Sequence, residues 1–449
     1  MSLEKVFKLI EERKDHAIKD LAEFIAIPSV SAKEEFLTEA AEFSAKLLKE
    51  NGFETKLFET GGGPVVTGFM DVGAKRTLMF YDHADVQPAE PFDLWDSPPF
   101  ELSIREGKMY GRGVADNKDE IVGRIHAIKA WLDAGLELPC NIKFVIESEE
   151  ESSSKNLTKY FDQDLDFFKN VDGCIWEFGG SNREGLQEFI LGVKGILYVQ
   201  LSVKQMNIDA HSAMATHLPN AGERLLQAIN LLKDKDGKIL IPHFYDDIAE
   251  ITKEEMEVIK KYNFYPEEVK EHFGLEAFRY SMDNEEAKIA AFTKPTCNLC
   301  GFGAGWQGKG GKTVIPKQAI AKIDFRLVKN QNPDKILKDL RKYFDDNGFT
   351  DIVIDWSNGY PPSKTYVNDD FVKLCKRANK RIYNHEASIQ STSGGSGPMY
   401  LFGDHMPVVS LGSGNANSNA HAPNENINVD DFIDGMKMIA VILDEFKDW

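Results

Sequence analysis

The chain has 449 residues, more than one ordinary hydrophobic core absorbs, since domains settle near roughly 100–200 residues. It is 42% hydrophobic and 11% aromatic with charge spread throughout, a composition that fills large cores and excludes a disordered chain. With 53 basic against 72 acidic residues the formal charge is −19, which repels phosphate backbones and anionic lipid, so neither nucleic acid nor a membrane surface is an expected partner.

Residues 3–26 and 34–51 read as helices. The first thirty mix Val6, Phe7, Ile10, Ala17 and Leu21 with Glu and Lys, without the apolar run of a signal peptide, and no later stretch approaches the roughly 20 apolar residues of a span. The expected compartment is the cytosol. Thr55–Glu59, Val65–Val72 and Thr77–Tyr81 are β-rich runs, followed by a helix near Lys118–Leu132 and an apolar strand Ile142–Ile146. Strand, helix, strand in that order predicts crossovers and a largely parallel sheet.

From about Ile196 the order becomes strand Tyr198–Val203, helix Ala221–Leu232, strands Asn298–Phe302 and Ala319–Leu327, helix Pro333–Phe344 and strand Ile352–Trp356. That is the β-α-β-β-α-β succession of a ferredoxin-like domain, with a Glu- and Lys-rich helical insertion near Tyr245–Glu286. After Gly359-Tyr-Pro-Pro the α/β character returns and ends in an amphipathic helix, Val429–Phe446. The fold expected is α/β: a catalytic domain with a mixed, largely parallel sheet over 1–195 and 363–449, interrupted by a smaller α+β domain over 196–362.

Four segments carry ligand-type side chains where apolar strands end or helices begin. His83-Ala-Asp85-Val-Gln-Pro88 follows the strand Leu78-Met-Phe-Tyr81, and residues two apart on an extended chain share a side. Open α/β sheets place ligands at such carboxyl ends, although an HxD pair also suits a surface loop. Gly111-Arg-Gly-Val-Ala-Asp116-Asn-Lys118-Asp119 enters a helix, its two glycines admitting positive φ; Asp116 there fits an N-cap as well as a metal ligand. Phe144-Val-Ile-Glu147-Ser-Glu149-Glu150-Glu151 runs a strand into four carboxylates, whose mutual repulsion a cation or solvent must relieve. Asn419-Ala-His421-Ala-Pro-Asn-Glu425 follows the apolar Val408-Val-Ser-Leu and a glycine-rich loop.

In this order, HxDVQP, GRGxxDxK, a strand ending in EEE-S and a late AHxxNE, the chain resembles the family that contains aminoacylase, carnosinase, cytosolic dipeptidases, carboxypeptidase G and succinyl-diaminopimelate desuccinylase, across nearly its whole length. The resemblance implies two divalent metal ions, zinc with manganese or cobalt as alternatives, bridged by Asp116. One would be held by His83 and the other by His421. Glu151 and Glu177 supply further ligands, Glu150 is the general base, and Asp85 orients the ligand histidine. A shared-carboxylate cation pair activates water and polarises a carbonyl, which is the chemistry of amide hydrolysis. The resemblance also implies a homodimer formed through the inserted lid domain. There His211 reaches the partner's site to meet an oxyanion, Arg326 grips the substrate carboxylate, and the Gly395-Ser396 turn meets an anion. The implied substrates are dipeptides, or alternatively N-acyl amino acids or N-succinyl-diaminopimelate.

Two positions depart from the carnosinase pattern: Asp82 stands where glycine precedes the ligand histidine, and Asp119 where glycine follows the lysine. Both are expected to add negative charge near the site. Other function classes fit less well. Cys297 and Cys300 form a CxxC pair without a second ligand pair, and five cysteines in all suit reduced thiols. Gly308-Lys-Gly-Gly-Lys312-Thr313 has Trp306 where a phosphate loop needs glycine, and leads into Val-Ile-Pro rather than a helix. Gly394-Gly-Ser-Gly does not match the GxSxG elbow of a serine hydrolase. An inactive scaffold homologue would have lost a ligand or the base, and neither type is missing.

Overall fold

The computed structural model describes residues 2–449, the side chain of Trp356 excepted. The chain forms two compact units. The first comprises the segment up to Gly192, Lys364–Ser391 and Gly397–Trp449; the second comprises Val193–Ser363 with Thr392–Ser396.

In the first unit the strands Glu54–Phe58, Val65–Met70, Asn141–Glu147, Thr77–His83, Gly173–Trp176 and Val408–Ser410 lie side by side in that order, within a ten-stranded sheet. The first two pairings are antiparallel and the next three parallel, the mixed, largely parallel sheet that the strand–helix–strand order predicts. Thr77–His83 is buried at every position, as expected of a strand covered on both faces. The helix Lys118–Asp133 is buried almost all round, including Asp119, Glu120 and Arg124, and packs against the carboxy-terminal helix Val429–Phe446. The helix expected over 3–26 is two, Ser2–Glu12 and Lys14–Ile25, because Arg13 adopts φ −97°, ψ 1° between them. Among the described residues no helix is long and apolar enough to cross a membrane.

The second unit is a four-stranded antiparallel sheet in the order Asn298–Ala304, Gln318–Leu327, Gly195–Lys204, Val353–Tyr360, the ferredoxin-like arrangement. Alternate residues of Gly195–Lys204 and Gln318–Leu327 are buried, and Leu197, Val199, Leu201, Ile323 and Phe325 meet Leu225 and Leu340 from the helices Ala221–Asn230 and Pro333–Asp346 in one core. The insertion supplies three helices, Lys253–Lys261, Pro266–Phe273 and Asn284–Thr293.

Candidate active site

Four chain segments of the first unit converge at the carboxyl ends of its parallel strands. His83 is the last residue of its strand, and Glu177 directly follows the strand Gly173–Trp176. Asp116 lies one residue before the helix N-cap, Asn117, and makes no capping bond. Its carboxylate instead faces two histidines, Oδ1 at 3.0 Å from His83 Nε2 and Oδ2 at 3.0 Å from His421 Nε2. One oxygen turned to each imidazole is the disposition of a bridging carboxylate, and the capping alternative falls. Of the two glycines in the preceding turn only Gly113 has positive φ, +85°; a Cβ there would also lie 2.7 Å from Val86. Gly111 is needed for space, 3.1 Å from Ile25.

Two ligand trios result. His83, Asp116 and Glu177 offer atoms within 4.8 Å of one another, and so do Asp116, Glu151 and His421. Glu177 Oε2 is 3.8 Å from His83 Nε2, and Glu151 Oε2 is 3.1 Å from His421 Nε2. The side chains of His83 and Glu151 are almost fully buried, whereas that of His421 is 54% exposed, which leaves the second trio open to solvent. The donor set fits a pair of divalent cations: two imidazoles and three carboxylates, one shared.

The electrostatics point the same way. Burial alone would raise Asp116, but hydrogen bonds with His421 and His83 outweigh it and hold the carboxyl below its usual range. Hydrogen bonds to Asp116 and Glu151 raise His421 to about 10. Burial raises Glu177 to about 7, and burial with the adjacent Glu177 charge pushes Glu150 well above the ordinary carboxylate range. Crowded, desolvated carboxylates with histidines drawn toward positive charge form a cluster short of cations.

The acidic run is held in register by Asp85. Its two carboxylate oxygens accept from the backbone N–H groups of Glu150 and Glu151, both at 3.1 Å, while its carbonyl oxygen takes His83 Nδ1 at 3.0 Å. Asp85 therefore orients the histidine mainly through its backbone and the Glu150–Glu151 turn through its side chain. Glu149 accepts from Asn156 Nδ2 at 2.6 Å and joins neither trio; Glu147 accepts from Tyr81 and Ser154 behind the site.

Two positioning groups carry no assigned role in the sequence reading. Glu425, fully buried, accepts from Arg112 Nη1 at 2.5 Å and from the N–H groups of Gly113, Ala115 and Asp116 at 3.0, 2.8 and 3.1 Å. It thus ties the His421 loop to the turn that presents Asp116. Its signal was the Asn-Glu that closes the fourth motif, but the partners lie 309–313 residues away. The second group is Arg124, which corrects the expectation for Asp82. Asp82 precedes His83 on the strand and so points to the opposite face. There its Oδ1 meets Arg124 Nη1 at 2.8 Å, and Asp119 accepts from Ser413 Oγ at 2.6 Å. Asp82 thus has a cation against it on the face away from His83, and the partner of Asp119 is the neutral Ser413 hydroxyl.

The remaining predicted residues belong to the second unit. Arg326 Nη1 donates to Ser396 Oγ at 2.8 Å, beside Gly395, whose N–H meets Ser393 Oγ at 3.3 Å. The helix beyond that turn, Met399–Gly403, has only five residues. His211 is exposed; its Nδ1 accepts from Ala213 N at 3.1 Å, so Nε2 carries the proton, 3.3 Å from Thr313 Oγ1. All five cysteines are free, with Cys297 buried and Cys300 exposed.

The chain is similar to known proteins along nearly its whole length. The human Beta-Ala-His dipeptidase is 28% identical over 98% of this chain and 91% of its own length. A Cys-Gly metallodipeptidase of Candida albicans is 30% identical over 98% and 96%. Among solved structures, the M20 family metallo-carboxypeptidase Sso-CP2 from Sulfolobus solfataricus superposes with a TM-score of 0.86 at 38% identity, covering 96% of this chain and 99% of that one. The model of peptidase family M20/M25/M40 matches residues 79–445, and the chain belongs to that family.

Proposed function

We propose that the protein is a metal-dependent peptidase that hydrolyses dipeptides at a dinuclear centre. The observation that carries this reading is the pair of ligand trios sharing Asp116. His83 and Glu177 would hold one ion, Glu151 and His421 the other. Zinc is the proposed metal, and the same donors also accept manganese or cobalt. Bound there, the ions supply Lewis-acid polarisation of the carbonyl and activation of a water.

Glu150 takes the proton of the attacking water and returns it to the departing amine. Asp85 holds Glu150 and Glu151 in fixed order, so that the base and the ligand do not exchange places. Arg326, with Ser396 and Gly395, is proposed to receive the substrate's free carboxylate, for which a planar fork is suited. His211 donates from Nε2 to the oxyanion, delivered from the partner subunit of a homodimer. The cytosol is the proposed compartment, supported by five unpaired thiols.

The 38% identity to a metallo-carboxypeptidase favours a second reading, removal of carboxy-terminal residues from longer peptides. Both reactions cut the amide before a free carboxylate. The metal-reconstituted protein is tested on dipeptides, tripeptides, longer peptides, N-acyl amino acids and N-succinyl-diaminopimelate. Turnover confined to dipeptides supports the first reading, comparable turnover of longer peptides the second, and hydrolysis of the acylated compounds alone overturns both. For the partner route, inactive Glu150→Gln and His211→Ala proteins are mixed under subunit exchange. Regained activity is expected, because heterodimers contain one site with both wild-type residues; no recovery despite exchange rejects delivery by the partner.

A further inference from the structure

The strands that carry His83 and Glu177 are paired in parallel only through Leu78/Gly173, Met79/Cys174 and Phe80/Ile175. One residue later the ladder between them ends, although on its other side the His83 strand stays paired as far as His83/Glu147. The Glu177 strand pairs with Val408–Ser410 up to Ser410/Trp176 and no further. The strands thus part where the ligands emerge, which opens the crevice and leaves carbonyl groups without strand partners.

One side chain takes them up. Arg124, 1% exposed, donates through Nη1 to Tyr81 O at 3.2 Å and through Nη2 to Trp176 O at 2.9 Å and Leu411 O at 3.3 Å. The same guanidinium pairs with Asp82 Oδ1 at 2.8 Å and Glu120 Oε2 at 3.1 Å, and Glu120 in turn accepts from Ser413 N at 2.7 Å. Tyr81 is two residues before His83, and Trp176 is the neighbour of Glu177. A planar fork with donors on two nitrogens spans two carbonyls at fixed distance; an ammonium presents its donors from a single point.

We propose that Arg124 is a positioning residue for the metal centre: its guanidinium replaces the missing rungs between the two strand ends and so sets the spacing of His83 and Glu177. Asp82 is its counter-ion, which explains why a carboxylate stands beside a ligand histidine without joining the ligands. This inference rests on the proposed cation pair.

The test is titration of metal-stripped protein with zinc, read by calorimetry against a competing chelator, with circular dichroism to confirm folding. Wild type is expected to bind two ions. Arg124→Lys keeps the charge but cannot span both carbonyls. It should retain the ion held by Asp116, Glu151 and His421 and bind the other about 10–100-fold more weakly, the usual loss when a ligand's support is removed. A general loss of structure would weaken both ions together. Asp82→Asn, which leaves the fork in place, should keep both affinities; loss there equal to that in Arg124→Lys would mean that charge rather than span matters and would overturn the proposal. So would a folded Arg124→Lys with two wild-type affinities. If that variant does not fold, Asp82→Asn/Glu120→Gln/Arg124→Met removes the buried ions together, and the same selective loss supports the proposal while unchanged affinities reject it. Fewer than two ions on wild type would overturn the cation-pair reading itself.

Discussion

Replacing Glu425 examines how the bridging carboxylate is held. The side chain is fully buried and accepts four hydrogen bonds, Oε2 from Arg112 and Gly113 and Oε1 from Ala115 and Asp116. Alanine would strip a buried guanidinium of its counter-ion and three N–H groups of their acceptor, a loss of about 3–5 kcal/mol or more, comparable with much of a domain's net stability. Glutamine keeps the volume but has one acceptor oxygen. Whichever way the amide turns, one pair of donors faces its NH2. Two unsatisfied buried donors cost about 1–3 kcal/mol each, and removal of a buried charge offsets part of this, leaving a net loss of about 2 kcal/mol. Burial raises the Glu425 carboxyl to about 7, so the comparison is made about one pH unit higher, where wild type carries a carboxylate. Because the two units need not unfold together, the assay is amide hydrogen exchange over residues 112–118 with chelator present, alongside zinc titration. Glu425→Gln should lose protection in that segment and bind both ions more weakly, since Asp116 serves both. Unchanged protection and unchanged affinities would refute the claim that Glu425 presents the bridge.

Asp116→Ala should lower the metal content from two ions to none by elemental analysis, whereas retention of one tight ion would contradict the bridging assignment. Glu150→Gln should abolish turnover and keep both ions, while Glu151→Gln should weaken the ion shared with His421; exchanged phenotypes would mean that the register fixed by Asp85 is misread. Lys194 is 5% exposed and donates to Lys294 O at 2.8 Å, and burial with the nearby Arg326 charge lowers it to about 8. The folded state therefore binds fewer protons than the unfolded chain between about pH 8 and 10.5, so stability rises with pH across that window, by up to about 3 kcal/mol from this group. Urea unfolding should show the wild-type minus Lys194→Met difference increasing over that range, and a flat difference would count against the shift.

What was legible in the sequence shares one property: the signal is local. His83, Glu150 and Asp116 are announced by an apolar run and a turn within a few residues of the ligand, and the run Leu78–Tyr81, buried throughout, reads plainly as strand because it is apolar on both faces. The β-α-β-β-α-β succession of the second unit is legible for the same reason, its alternating burial being written residue by residue. Glu177 depended on the resemblance alone. The kink at Arg13 was missed because neither proline nor glycine marks it.

The positioning groups were not legible, and the helix Lys118–Asp133 shows why. Charged residues in a helix normally mark its solvent face, so nothing local in the sequence marks Asp119, Glu120 and Arg124 as buried. In the structure all three are buried, with partners on strand ends and loops 42–294 residues away, and only the fold brings those together. Their charges make sense as one unit: a carboxylate at position 82 would be costly beside a metal ligand unless a cation lay on the opposite face of the strand, and Arg124 lies there. The departure at Asp82 and the arginine one helix away thus form a single feature, in which a residue that looks unfavourable for the site is the counter-ion of the side chain that spans its strands.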